Sequence, residues 1–244
     1  MSMSPTVNRV LVAVDFDASS AAAVAAAGVI AKAFGAVLRV AHAASIEMPP
    51  YFTGAQLEAL EGERRATRGR LASDLLAFTA PFTYMPVEVS VEEGSAADTI
   101  LRLAAASDLI VVGTHRLKGA RRWWLGSVAE AVVRRAPVPV LVVPADATAE
   151  GLRRGATVVV PGDGDAAAID RWVRVFEEIL QMTVRTEPIA TCDVDRLRDA
   201  GLVVVPLPVG AADGREFDAI VDVLKECVHP VLFVPAARPA VVRS

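Results

Sequence analysis

The chain has 244 residues, 53% of them hydrophobic and 22% charged, with a formal net charge of -4 at pH 7. That length suits one large or two small domains with sizeable cores, and the acidic balance argues against a general nucleic-acid binder, which needs a basic face. Cys192 and Cys227 stand far apart and in neither a CxxC nor a zinc spacing, so neither a disulfide framework nor a metal site is expected.

Met1 to Thr6 lacks the basic and apolar regions of a secretory signal, and Ala21 to Ile30 is too short and alanine-rich to span a bilayer. A cytoplasmic protein without a membrane partner is the expectation. Val10 to Val14 reads as a buried strand. The segment Asp15 to Ser20 offers several caps for a helix that runs to about Phe34 and stops at Gly35. Val37 to Ala43 is the next strand, which completes a βαβ unit.

Pro49 and Pro50 put residues 45–53 in a loop. A polar helix is predicted from about Gln56 to Phe78, with Gly62 and Gly69 weakening its continuity and arginines 64, 65, 68 and 70 forming a solvated face. Val87, Val89 and Val91 alternate with polar residues, the period of a strand wet on one side. Ser95 and Asp98 form a capping box for a helix through Leu103.

Leu109 to Val112 is a short β-branched run suited to a strand covered on both faces, and Gly113 ends it. The loop that follows carries Arg116, Lys118, Arg121 and Arg122 to a helix beginning at Ser127. Free N–H groups and the macrodipole at such a helix start favour an anion. The competing reading is that Ser127 with Glu130 is simply a capping box. The run Pro137 to Val143 brings another strand, which closes this half as β-α-β-α-β-α-β-α-β.

Residues 146–155 are small, charged and glycine-bearing, as in a linker. The pattern then recurs: Val158 to Pro161 echoes the first strand, Leu202 to Pro206 echoes Leu109 to Gly113, and Pro230 to Ala236 echoes Pro139 to Ala145. Between them, Ile169, Trp172, Val173, Phe176, Ile179 and Leu180 make one helical stripe, and Phe217, Ile220, Val221, Leu224 and Val228 another. This later half lacks a Gly-Ser helix start, carries acids where the first carries bases, and has Pro206 and Pro208 where backbone donors would be needed. It reads as structural.

Gly113, Gly126-Ser127 and the Pro-Val-Pro-Val-Leu-Val-Val run resemble the C-terminal half of a universal stress protein domain. The resemblance extends over roughly residues 7 to 145 and includes Asp15 at the end of the first strand. It implies two Rossmann-like (HUP-type) α/β units with five-stranded, mainly parallel sheets, the second truncated: a universal stress protein domain over 1–147 and a shortened, degenerate copy over 148–244. In that family the last strands of two domains pair, so an intramolecular pseudo-dimer or a homodimer is implied.

The resemblance also implies a site for ATP or a related adenine nucleotide, with or without Mg. Asp15 and the backbone near Ala43 would meet base and ribose, and Gly113, Gly126 and Ser127 the phosphates. The family's second loop glycine is replaced by Arg116, which either blocks the site or supplies a bidentate phosphate contact. Asp15 keeps a second reading as a cap for the following helix.

Trp123 and Trp124 cover an apolar edge or anchor a partner. His115 reads as solvated, His42 as internally packed, and His229 as preceding a strand. No nucleophile elbow or P-loop lysine motif occurs, so at most weak ATP hydrolysis is implied. Two functions stand: a stress-response regulator that binds an adenine nucleotide, and a nucleotide-free interaction module of the same fold whose protein partners the sequence does not name.

Overall fold

In the computed structural model, the residues described are 7–44, 54–114, 125–148, 150–160, 166–188, 197, 200–207, 215–224 and 229–235. The first half alternates β1 (Arg9–Ala13), α1 (Ala18–Phe34), β2 (Val37–Ala44), α2 (Gly54–Thr79), β3 (Val87–Glu93), α3 (Ala96–Ala104), β4 (Leu109–Thr114), α4 (Ser127–Arg135) and β5 (Val140–Pro144). A 3₁₀ turn at Gly151–Arg154 leads to β6 (Ala156–Val160), α5 (Ala166–Glu178), β7 (Val184–Pro188), β8 (Leu202–Leu207), α6 (Arg215–Leu224) and β9 (Val231–Pro235).

All nine strands form one sheet in the order β3-β2-β1-β4-β5-β9-β8-β6-β7. Every neighbouring pair is parallel except β5 with β9, which run antiparallel with Leu141 opposite Leu232. β8 lies beside β6 as β4 lies beside β1, with Leu202 on Ala156 and Leu109 on Val10. The α/β class with a mainly parallel sheet is therefore as expected; the last strands of the two halves pair, which makes the sheet continuous, and the later half contributes four described strands.

Helices on both faces explain the uniformly apolar strands. Val10, Val12, Leu109, Val111, Leu141 and Val143 join α1 and the buried Trp172 and Phe176 of α5 on one face. Leu11, Ile110, Val112, Val140 and Val142 join α3, α4 and α6 on the other. The predicted α5 stripe is partly realised: the helix ends at Glu178, so Ile179 and Leu180 fall beyond it.

α1 starts on Asp17, whose side chain accepts from the Ser20 N–H at 2.6 Å, and ends on Gly35 at φ 64. α2 is one continuous helix through Gly62 and Gly69. Its arginines are not merely solvated: Arg64 and Arg68 both pair with Glu93 at the end of edge strand β3. Arg134 of α4 bonds Glu130 at 2.9 Å and Asp218 of α6 at 2.8 Å while lying 4.0 Å over the Phe217 ring, so one face of the β5–β9 seam is bridged.

Candidate functional site

β2 lies to one side of β1 and β4 to the other, so the order of winding reverses between β1 and β4. In such sheets a crevice opens there, beyond the carboxyl ends of the strands. A cleft of about 490 Å³ occupies this place, lined by Asp15 after β1, His42 and Ala43 late in β2, Gly113 and Thr114 at the end of β4, and Gly126 and Ser127 at the start of α4. Asp15, Ala43, Gly113, Gly126 and Ser127 are thus brought together. Arg116, with His115, Lys118, Arg121, Arg122, Trp123 and Trp124, lies outside the described residues.

Asp15 and Asp17 have different tasks. Asp17 is the cap of α1, and Ser19 donates to it at 2.9 Å. The Asp15 N–H donates to Ser20 Oγ at 2.8 Å, which orients its backbone, and its exposed carboxylate has no hydrogen-bond or ion-pair partner among the described residues. The reading of Asp15 as a helix cap is therefore not realised: the cap lies two residues later.

The capping box at Ser127 is also not realised. Gly126 is the cap position and Ser127 the first helical residue, so the cap position itself supplies no side-chain hydrogen bond, and among the described residues no side chain bonds the first-turn N–H groups. Glu130 instead accepts from Arg134, four residues on. By contrast, α3 begins as expected, with the Asp98 N–H donating to Ser95 Oγ at 3.3 Å and the Ser95 hydroxyl donating to Asp98 at 2.7 Å. The Ser95 hydroxyl, followed by Arg135 from the end of α4, holds the exposed Asp98 carboxyl below its ordinary range. Three helices thus start on the cleft, two carrying their own side-chain caps and the third without one among the described residues, a helix start that suits an anion.

The two expected glycines differ as well. A Cβ at Gly113 would lie 2.6 Å from the backbone carbon and oxygen of Ser19, so glycine is required there for β4 to meet α1. A Cβ at Gly126 would meet nothing within 4 Å, so packing among the described residues makes no such demand. That space is open for a group approaching the helix start.

His42 is half-buried and lines the cleft rather than packing wholly inside. Its Nδ1 lies 2.8 Å from the Val14 carbonyl, and its ring meets the edge of Phe16 at 4.9 Å. Phe16 holds φ 55, a left-handed backbone uncommon for an aromatic residue, and also packs on Phe78. Sequence reading missed Thr99 and Gly94 in the lining; a glycine directly before the Ser95 cap was the available signal, and it holds φ 135. Asp15 and Asp17 are the charged groups among the described lining. Among the described residues, no group of three His, Cys, Asp or Glu is placed to hold a metal ion.

Among curated protein sequences none matches the chain. A solved universal stress protein from Archaeoglobus fulgidus DSM 4304 is 15% identical over 93% of this chain and 96% of its own, with a TM-score of 0.58. A functionally unknown protein, PA1789 from Pseudomonas aeruginosa PAO1, is 14% identical over 95% of this chain and 93% of its own, with a TM-score of 0.54. These two share the fold. A universal stress protein in complex with cAMP is 26% identical over 58% of this chain and 100% of its own, with a TM-score of 0.40. The model of the universal stress protein family matches residues 6–144. That match spans more than half of the sequence, and the chain belongs to the universal stress protein family.

Proposed function

We propose that the cleft between β1 and β4 binds an adenine nucleotide and that the chain is a stress-response regulator whose occupancy alters its conformation or partner affinity. The observation that carries this reading is the start of α4, without a side-chain cap among the described residues, opening on the same cleft as the Asp15 carboxylate, which has no partner among them. The group fits the residues present. Backbone N–H groups of the first turn of α4 would hold phosphate, the space at Gly126, open among the described residues, admits it, and Asp15 would accept from ribose hydroxyls, with the backbone at Ala43 beside the base. When bound, the nucleotide supplies a charged and removable strut between β1 and α4.

The reading includes a division into residues 1–147, which hold the site, and residues 148–244, a shortened copy completing the sheet, so that one chain carries both halves of a pseudo-dimer. It also includes a cytoplasmic location; among the described residues no helix is long and apolar enough to cross a membrane. Calorimetric titration of the full chain with AMP, cAMP and ATP, with and without Mg, tests it. Saturable binding, weakened by Asp15→Asn about tenfold, equivalent to ~1.4 kcal/mol, is the expected result. Absence of heat and of thermal shift at millimolar nucleotide would defeat the binding claim. Phosphate release dependent on Asp15 or Ser127 would instead extend it to slow hydrolysis.

A second reading has one observation in its favour: both charged groups described in the cleft are carboxylates, which oppose a polyphosphate. Under it, Arg116 fills the loop and the fold serves protein association. Arg116→Gly separates the two, creating or strengthening nucleotide affinity under the second reading and abolishing it if the guanidinium is a phosphate ligand.

A further inference from the structure

The β5–β9 seam is treated differently on its two faces. On one, Arg134 and Phe217 join α4 to α6. On the other, α1 and α5 stand apart and leave a cavity of about 690 Å³, larger than the cleft described above. Its floor is Leu109, Leu141, Leu232 and Leu202, from four adjacent strands, and its walls include Ala25 and Val29 of α1 and Trp172 and Phe176 of α5. Leu109 opens β4 whereas Gly113 lies four residues on, so the two cavities sit toward opposite ends of that strand.

We propose that this cavity binds the alkyl chain of a long-chain carboxylate, with the carboxylate at Lys32. The lining is apolar apart from Lys32, Gln181, Thr83 and the fully exposed Tyr84, and Lys32 is its charged residue among those described. Lys32 has no ion pair among the described residues. Its place in the last turn of α1 is favoured by the helix dipole in any case; what the dipole leaves unexplained is a cation on the wall of an apolar cavity with no acid in its described lining.

The chemistry of the lining selects the occupant. The floor leucines are only 1–3% exposed, so a group that reaches them is buried among apolar atoms. An alkyl chain has no polar group to leave unpaired there, whereas a nucleotide would leave its polar groups without donors, since the described lining includes no α-helix start. Burial of the chain supplies the affinity and Lys32 the selection for an anionic head.

The test uses the full-length protein, titrated below the micellar range with dodecanoate and with dodecanol. Both should bind saturably, dodecanoate more tightly. Lys32→Gln, at an exposed position, should weaken dodecanoate about tenfold and leave dodecanol unchanged. Ala25→Trp, which fills the wall, should abolish both while circular dichroism and the AMP titration stay as in the parent. No saturable binding of dodecanoate, or an equal loss of both ligands in Lys32→Gln, would overturn the proposal. So would a concentration-dependent dimer disrupted by Ala25→Trp, which would make the cavity an interface between copies. The AMP titration is independent, so failure at one cavity does not imply failure at the other.

Discussion

A methyl group added at Gly113 would lie 2.6 Å from the carbonyl oxygen of Ser19, while one added at Gly126 would meet none of the described residues within 4 Å. Gly113→Ala should therefore destabilise the fold by ~1–3 kcal/mol through overpacking, seen as a lowered urea midpoint. Gly126→Ala should leave that midpoint within ~0.5 kcal/mol and weaken nucleotide binding. Asp15 and Asp17 separate in the same way: Asp17→Ala should cost ~1 kcal/mol as a lost cap, whereas Asp15→Asn should spare stability and lower nucleotide affinity. Both glycines and both acids were visible in the sequence. Their division of labour was not, because it depends on the distance between β4 and the first turn of α1, which no local pattern encodes.

Helix starts show how far local chemistry reaches. Ser95 and Asp98 make the reciprocal cap that their spacing predicts, whereas Ser127 and Glu130, with a similar spacing, do not. In the second case Arg134 competes for Glu130 from the next turn, and Gly126 takes the cap position. The arginines of α2 were legible as a charged face, but Glu93, their partner on β3, lies about thirty residues away in sequence and becomes a neighbour only through the sheet.

Because its folded carboxyl is held below the ordinary range, Asp98 contributes stability that is present above the unfolded pKa and is lost as pH falls through the depressed folded value. Urea midpoints measured from neutral to acid pH should thus decline, and the decline should be shallower in Asp98→Asn. Removing Ser95 as well should change the pH dependence little further in that background, since its hydroxyl is the largest cause of the shift, while lowering the midpoint at every pH through the lost cap.

At the scale of the whole molecule, one sheet with a core on each face is expected to unfold as a unit. Calorimetry should show a single transition whose van't Hoff and calorimetric enthalpies agree. Two separated transitions would mean that the β5–β9 pairing is weaker than the cores on either side. The Arg134–Asp218 bond crosses that seam with Asp218 largely exposed, so a double-mutant cycle should give a coupling of at most ~1 kcal/mol. The seam is held by backbone pairing and buried leucine, not by charge. The repeated apolar runs made the class of fold readable, and the resemblance of the last strands anticipated their pairing. The cavity between α1 and α5 was unreadable, since it is a space between helices about 140 residues apart.

The antiparallel seam also has a consequence during translation. β5 is complete once Pro144 has emerged, yet its partner β9 begins only at Val231. At ordinary elongation rates the ribosome needs roughly 4–17 s to deliver that intervening length. Through this interval the nascent first half presents the unpaired margin of an apolar strand, the feature that most readily recruits another chain. Ribosome-bound chains arrested before Val231 should therefore cross-link to holdase chaperones or to each other on polysomes, and full-length chains released from the ribosome should not.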